Sequence, residues 1–281
     1  MSWFIFAIIS VVSSSVSNIV QRAVMRDKES DPVASSILFQ FILTFITGIF
    51  ALYKGFTAPP IINFPLQFMV SATFYGVGTL CMFQAAKRIE ASEKTILSAF
   101  GAIVTIVVAL IFLNESFTIR QFFGTGLVLL SVVLIQNKLG IVRNIGTLYA
   151  ILGTSLYAVA VVSDTFILRH YDAISYTPVM SFLPGVVLLL VNPSVIKRFK
   201  SILNGRYIRN MFLYGFFYGI QAIMYYLALS LGANASQMAP LFRSEIVLTV
   251  LLAVFLLGER KKLGIKLLSA VIVSIGVFLI K

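Results

Sequence analysis

Ten apolar runs of about twenty residues, parted by short polar gaps, constrain this chain more than any other feature. A helix rises about 1.5 Å per residue, so about 20 mainly apolar residues cross the roughly 30 Å hydrocarbon core of a bilayer. That ruler predicts spans at Trp3–Met25, Pro32–Tyr53, Pro65–Lys87, Ala91–Leu113, Thr118–Gln136, Gly146–Arg169, Ser175–Val195, Asn210–Leu231, Ala233–Leu257 and Lys262–Ile280. In lipid a backbone must satisfy its own hydrogen bonds, so helices are the expected form. Barrel strands would be shorter and would alternate in polarity. The chain is 59% hydrophobic and 11% charged, against roughly 45–50% and 25% in soluble domains. The N-terminal "MSWFIFAIISVVSSSVSNIVQ" lacks a charged leader and runs into a polar-flecked helix, so it reads as a first span and not a signal peptide.

The gaps carry the positive charge. Those after spans one, three, five, seven and nine hold Arg22, Arg26, Lys28, Lys87, Arg88, Lys94, Lys138, Arg143, Lys197, Arg198, Lys200, Arg206, Arg209, Arg260, Lys261, Lys262 and Lys266; the other side holds Lys54, Arg120, Arg169 and Lys281. Basic residues mark cytoplasmic loops. The asymmetry puts the odd gaps in the cytoplasm and both termini outside. The net charge of +12 therefore reads as topology and contact with anionic lipid heads. No basic-aromatic groove pattern argues for a nucleic-acid partner.

The sequence also repeats. "FYGVGTLCMFQAA" begins at Phe74 and "FYGIQAIMYYLAL" at Phe217. A shift of about 143–145 residues places Ala91-Ser92-Glu93 on Ala235-Ser236-Gln237, and Leu113-Asn114-Glu115 on Leu257-Gly258-Glu259. Gly124 and Ser131 fall on Ser269 and Gly276. Five spans cross a membrane an odd number of times, so a second copy lies upside down. The expected fold is an all-α membrane protein with ten transmembrane helices in two inverted five-helix repeats, residues 1–140 and 141–281. Inverted repeats are a transporter signature, with the substrate site near mid-bilayer.

Candidate site residues follow from the cost of polar groups in lipid. Arg243 and Glu245 lie near the middle of span nine, two positions apart, and so face different directions. Two readings are open: Arg243 meets an anionic group while Glu245 binds a cation or proton, or both form static pairs with other helices. Polar side chains at helical spacing suggest a lining: Ser14 and Asn18 of span one, Tyr75 and Thr79 of span three, and Tyr218, Gln221 and Tyr225 of span eight. Tyr157 and Gln40 are expected to join them. For the serines and threonines, back-bonding to the helix or inter-helix bonding competes with substrate binding. Glu93 and Gln237 occupy equivalent places and read as gates or as groups at helix N-termini. Asp164 is read as a proton site or as an interfacial partner of Arg169. Glu115 and Glu259 are expected to close their helices near water. Ala72-x-x-x-Gly76 and Gly215-x-x-x-Gly219 read as close packing of spans three and eight.

The fourth and fifth spans of each half, "SAFGAIVTIVVALIFLNESFTIRQFFGTGLVLLSVVLI" and "MAPLFRSEIVLTVLLAVFLLGERKKLGIKLLSAVIVSIGVFLI", resemble the EamA-like ten-helix permeases of the drug/metabolite transporter superfamily. The shared pattern is a small or Pro residue, an apolar helix ending in Leu-x-Glu, and then a Gly-containing helix with a second Gly seven on. Ile96 stands where the second half has Pro240, so one helix breaker is expected. Family members are commonly drawn with both termini cytoplasmic, against the charge count here. The resemblance implies a secondary transporter, an exporter, for a small polar or amphipathic metabolite such as an amino acid. Proton coupling through Glu245 or Asp164 is the accompanying expectation, and a lipid-linked sugar flippase of the same fold is the alternative. One Cys, Cys81, and one His, His170, leave little for a metal site or a nucleophile–base pair. No enzyme activity or cofactor is expected, and no Walker loop is present. The expected partners are the substrate and the bilayer, as a monomer or weak homodimer in the plasma (inner) membrane.

Overall fold

In the computed structural model, residues 3–113, 118–136, 144–168, 170–202, 204–231 and 235–280 are described, and the side chains of 106, 109–113, 135–136, 165–166, 200–202, 226, 229–230, 235–240, 243 and 280 fall outside the description. The described residues form helices α1 (Trp3–Met25), α2 (Pro32–Lys54), α3 (Pro65–Arg88), α4 (Ala91–Ser98), α5 (Phe100–Leu113), α6 (Ile119–Gln136), α7 (Ile145–Leu168), α8 (Ala173–Val191), α9 (Val195–Ile202), α10 (Gly205–Ser230), α11 (Ala235–Leu256) and α12 (Leu263–Ile280). Among them α1, α2, α3, α7 and α8 are long and apolar enough to cross a membrane, and shorter apolar helices lie in α6, α11 and α12. Phe45, Phe122, Phe123 and Phe255 stand exposed on the outside, as a lipid-facing belt requires.

The helix pairings repeat. Replacing each predicted span by the one five places on maps α3 with α7 onto α10 with α1, α1 with α11 onto α7 with α4 and α5, and α2 with α10 onto α8 with α3. The pairs α2–α8, α6–α12 and α4–α11 map onto themselves. A close crossing joins α3 and α7 through two glycines. A Cβ on Gly78 would lie 3.2 Å from the Gly153 carbonyl oxygen, and one on Gly153 would lie 3.0 Å from that of Gly78.

Three expectations need correction. Span four is broken although it carries no proline, while α11 runs continuously through Pro240. The cause is tertiary: the Thr154 hydroxyl of α7 donates to the Ser98 carbonyl at 2.7 Å. The Ala102 amide bonds the Ala99 carbonyl instead, at 3.0 Å. The basic gap after span seven is also not a loop. α9 buries Val195 and packs Phe199 against Ala34, Ile37 and Leu188, and its Arg198 pairs with Asp31, the N-cap of α2. The small residues of spans three and eight do not meet each other. Gly76 faces Pro184 and Leu188 of α8, and Gly215 and Gly219 face Ile42 and Ile46 of α2.

Candidate functional site

Between α2, α3, α7, α8, α10 and α11 lies a cavity of about 450 Å³. It receives Gln40, Tyr75, Thr79, Tyr157, Asp164, Tyr218, Gln221 and Tyr225, all singled out from sequence. Helical spacing explains their convergence: Tyr75 and Thr79 stand one turn apart on α3, and Tyr218, Gln221 and Tyr225 follow at three and four on α10. Gln40 donates through Nε2 to Thr79 Oγ1 at 2.9 Å, and the Thr79 and Tyr157 hydroxyls share a hydrogen bond of 2.8 Å. Polar groups thus run as one chain across the wall from α2 through α3 to α7.

Asp164, 7% exposed, is the carboxylate of this cavity. Its Oδ1 accepts from the hydroxyls of Ser71 and Tyr176, and its Oδ2 from that of Tyr75, each at 2.6 Å. Ser71, Tyr75 and Thr79 form one stripe at i, i+4 and i+8, so sequence reasoning stopped one turn short of Ser71. It also missed Tyr176, Thr177, Met180 and Ser181 of α8. The available signal was "SYTPVMSFLP", where polar residues adjoin Pro178 and Pro184 inside a helix. Each proline removes an amide donor and loosens the local ladder.

Toward the N-terminal end of α10 the cavity is closed by aromatic packing. The Phe39 ring lies 4.6 Å from Tyr214, 5.1 Å from Tyr218 and 5.9 Å from Phe83 between centroids. Val24, Met25, Tyr207 and Met211 continue this plug.

The remaining predicted residues lie elsewhere. Ser14 donates to Glu245 Oε2, and Ser15 donates to the Glu245 backbone carbonyl at 3.2 Å, which ties α1 to α11. Asn18 and Gln21 accept from the fully buried Lys94 ammonium, which is within electrostatic reach of Glu245. Ser14, Asn18 and Glu245 are therefore not among the cavity-lining residues; they knit α1, α4 and α11. The reason is azimuthal, because α1 presents this face to α11 and not to α3. Glu93 sits half-buried in the first turn of α4. The side chains of Arg243 and Gln237 lie outside the described residues, as do Glu115 and Arg169.

Glu259 corrects the expectation of a group near water, since its side chain is fully buried. Gly258 takes φ of 68°, the left-handed conformation that ends a helix. The Glu259 amide then bonds back to the Ala253 carbonyl at 3.1 Å. This turn aims the carboxylate at the start of α4. There it accepts from the amides of Ala91 (2.9 Å) and Ser92 (3.2 Å) and from the Ser92 hydroxyl (2.8 Å). The repeated Ala-Ser and Leu-x-Glu motifs thus meet across the two halves, with Arg22 3.8 Å from the same carboxylate. Lys266 adds a pair with Glu90 alongside.

A bundle of apolar helices around a polar, aromatic-lined cavity has the make-up of an integral membrane protein. The EamA-like transporter family matches residues 1–136 and again 144–281, and the chain belongs to that family. An uncharacterized protein of Methanocaldococcus jannaschii is 28% identical over 107 residues, covering 35% of this chain and 76% of the relative. A solved crystal structure covers 98% of this chain and 95% of its own at TM-score 0.63 and 14% identity, a likeness of fold alone. The resemblance read from the fourth and fifth spans of each half is thus shown by the family match.

Proposed function

We propose that this membrane transporter works as a secondary carrier, moving a small polar or amphipathic metabolite such as an amino acid by alternating access between two inverted five-helix repeats. The observation that carries this reading is the cavity of about 450 Å³, fed by helices of both halves. An apolar enclosure with a few convergent polar groups suits a small-molecule site. In this reading Tyr75, Thr79, Tyr157, Tyr218, Gln221 and Tyr225 contact the substrate, and Asp164 carries the coupling proton. Glu245, held by Ser14, links α1 to α11 during the exchange of states. The Lys and Arg distribution supports cytoplasmic odd gaps, and plasma membrane residence with export as the direction accompanies this orientation.

The test is counterflow in proteoliposomes holding the purified chain. A panel of labelled amino acids and amines is offered outside against the same unlabelled compound inside. At least one compound is expected to accumulate transiently above empty liposomes, and an imposed pH gradient is expected to change its rate. Uptake equal to that of empty liposomes for every compound would overturn the carrier reading. A rate indifferent to the gradient removes the proton.

A further inference from the structure

We propose that the cavity takes a small organic cation, its ammonium seated between the Asp164 carboxylate and the faces of the surrounding tyrosines. This deepens the carrier reading and rests on it. Both Asp164 oxygens are occupied by hydroxyl donors. Hydroxyl donors bond a carboxylate most strongly in its ionised form, so the three of them prepare Asp164 to hold a charge when a cation arrives. Hydroxyls orient and solvate the anion without cancelling its charge. Among the described residues the ion pairs are Arg22–Glu259, Arg198–Asp31 and Lys266–Glu90, and none reaches Asp164. A carboxylate at membrane depth is costly and gains from a counter-charge. The structure places it on the cavity wall, where a ligand can supply one.

The rest of the lining points the same way. Tyr75 and Tyr157 stand with ring centroids 5.7 Å apart, and Tyr225 and Phe242 5.6 Å apart. Phe39 and Tyr218 complete the enclosure. Aromatic faces carry negative quadrupole charge and attract ammonium and quaternary ammonium groups, most strongly where water is excluded. An anion would meet the Asp164 charge and those same negative faces. A neutral ligand would use the apolar surface and leave the carboxylate uncompensated.

The test uses the full chain in nanodiscs, with choline, putrescine, succinate and the carbon isostere of choline, in which a quaternary carbon replaces nitrogen. Choline or putrescine is expected to bind by calorimetry about tenfold or more tighter than the isostere, the scale of one charged hydrogen-bonded contact. Asp164→Asn is expected to abolish that preference, and Asp164→Glu to retain it in part. If Asp164→Asn does not fold, the choline-to-isostere ratio on the unaltered chain decides. Equal binding of cation and isostere, preference for succinate, absence of binding by both cations, or an Asp164→Asn variant that keeps the preference overturns the proposal. Counterflow separates the two readings. Transport of a neutral or anionic compound with none of the cations leaves the carrier standing and sinks this inference. Cation binding that depends on Asp164 without any counterflow does the reverse.

Discussion

Asp172 stands just outside the membrane segments and starts α8, accepting a hydrogen bond from the Ser175 amide at 2.7 Å. Partial burial pushes its carboxyl up, but hydrogen bonds from Ser175 and the Ile174 amide outweigh that and hold it below the ordinary value. A depressed carboxyl contributes stability that is present above its unfolded value, about 3.9. That contribution is lost as pH falls through the lower folded value. Asp172→Ala is therefore expected to cost about 1 kcal/mol at pH 7, read as faster hydrogen exchange in the first turn of α8. The difference from the unaltered chain should vanish in strongly acidic buffer. At this scale, depth was legible and direction was not. The fixed helical rise placed Glu245 deep in its span, but Arg243, Ser244 and Glu245 are consecutive and fall on different faces, so spacing did not reveal which side meets a cavity. The stripes on α3 and α10 could be read because their polar residues recur at helical spacing; on α8 the polar residues Ser175, Tyr176 and Thr177 are consecutive and point to different faces, so Tyr176 was readable only through the nearby prolines.

Helix length is the element property a sequence states most plainly, because lipid thickness sets it; α1 falls on Trp3–Met25, as predicted. The break between α4 and α5 was not legible, since its cause sits on α7. Thr154 spends its hydroxyl on the Ser98 carbonyl, and Gly101 is what lets it approach, since a Cβ there would lie 2.4 Å from Thr154 Oγ1. Thr154→Val is expected to destabilise the protein by about 1–3 kcal/mol through an unsatisfied buried carbonyl, while Thr154→Ser leaves it nearly unchanged. Thermal unfolding of the two variants in detergent checks this. The α3–α7 crossing makes a parallel demand. A Cβ at Gly78 would stand 2.9 Å from the Tyr157 ring, so Gly78→Val should push Tyr157 away from Thr79. We expect a loss of about 1–3 kcal/mol, the usual cost of overpacking, with weakened ligand binding. Unchanged affinity in a folded variant would place Tyr157 outside the ligand's reach.

On the scale of the whole molecule the two ends are unlike. At the end bearing most of the Lys and Arg residues, Glu259 spans the halves, bonding the start of α4, with the Lys266–Glu90 pair and the plug around Phe39 and Met211 beside it. The cavity instead reaches toward the other end, through Asp164 late in α7, Thr177 early in α8 and Tyr225 late in α10. A carrier must release one end before opening it, and a buried carboxylate that caps a helix of the opposite half is a suitable latch, since removing it strands the amides of Ala91 and Ser92 in a dry interface. Glu259→Gln keeps the shape, loses the charge that meets Arg22, and offers one oxygen in place of two. In a Cys81→Ser background with Met211→Cys as the reporter, fully buried in the plug, a membrane-impermeant maleimide should label slowly. Adding Glu259→Gln should speed labelling from the basic end about tenfold, the equivalent of 1.4 kcal/mol drawn from the closed state. Thr177→Cys, on the cavity wall, should label from the opposite end at a rate that falls in the same variant, since the proposed alternating access makes the two openings mutually exclusive. If both reporters speed up together, Glu259 is a general brace of the fold and not a latch between two states.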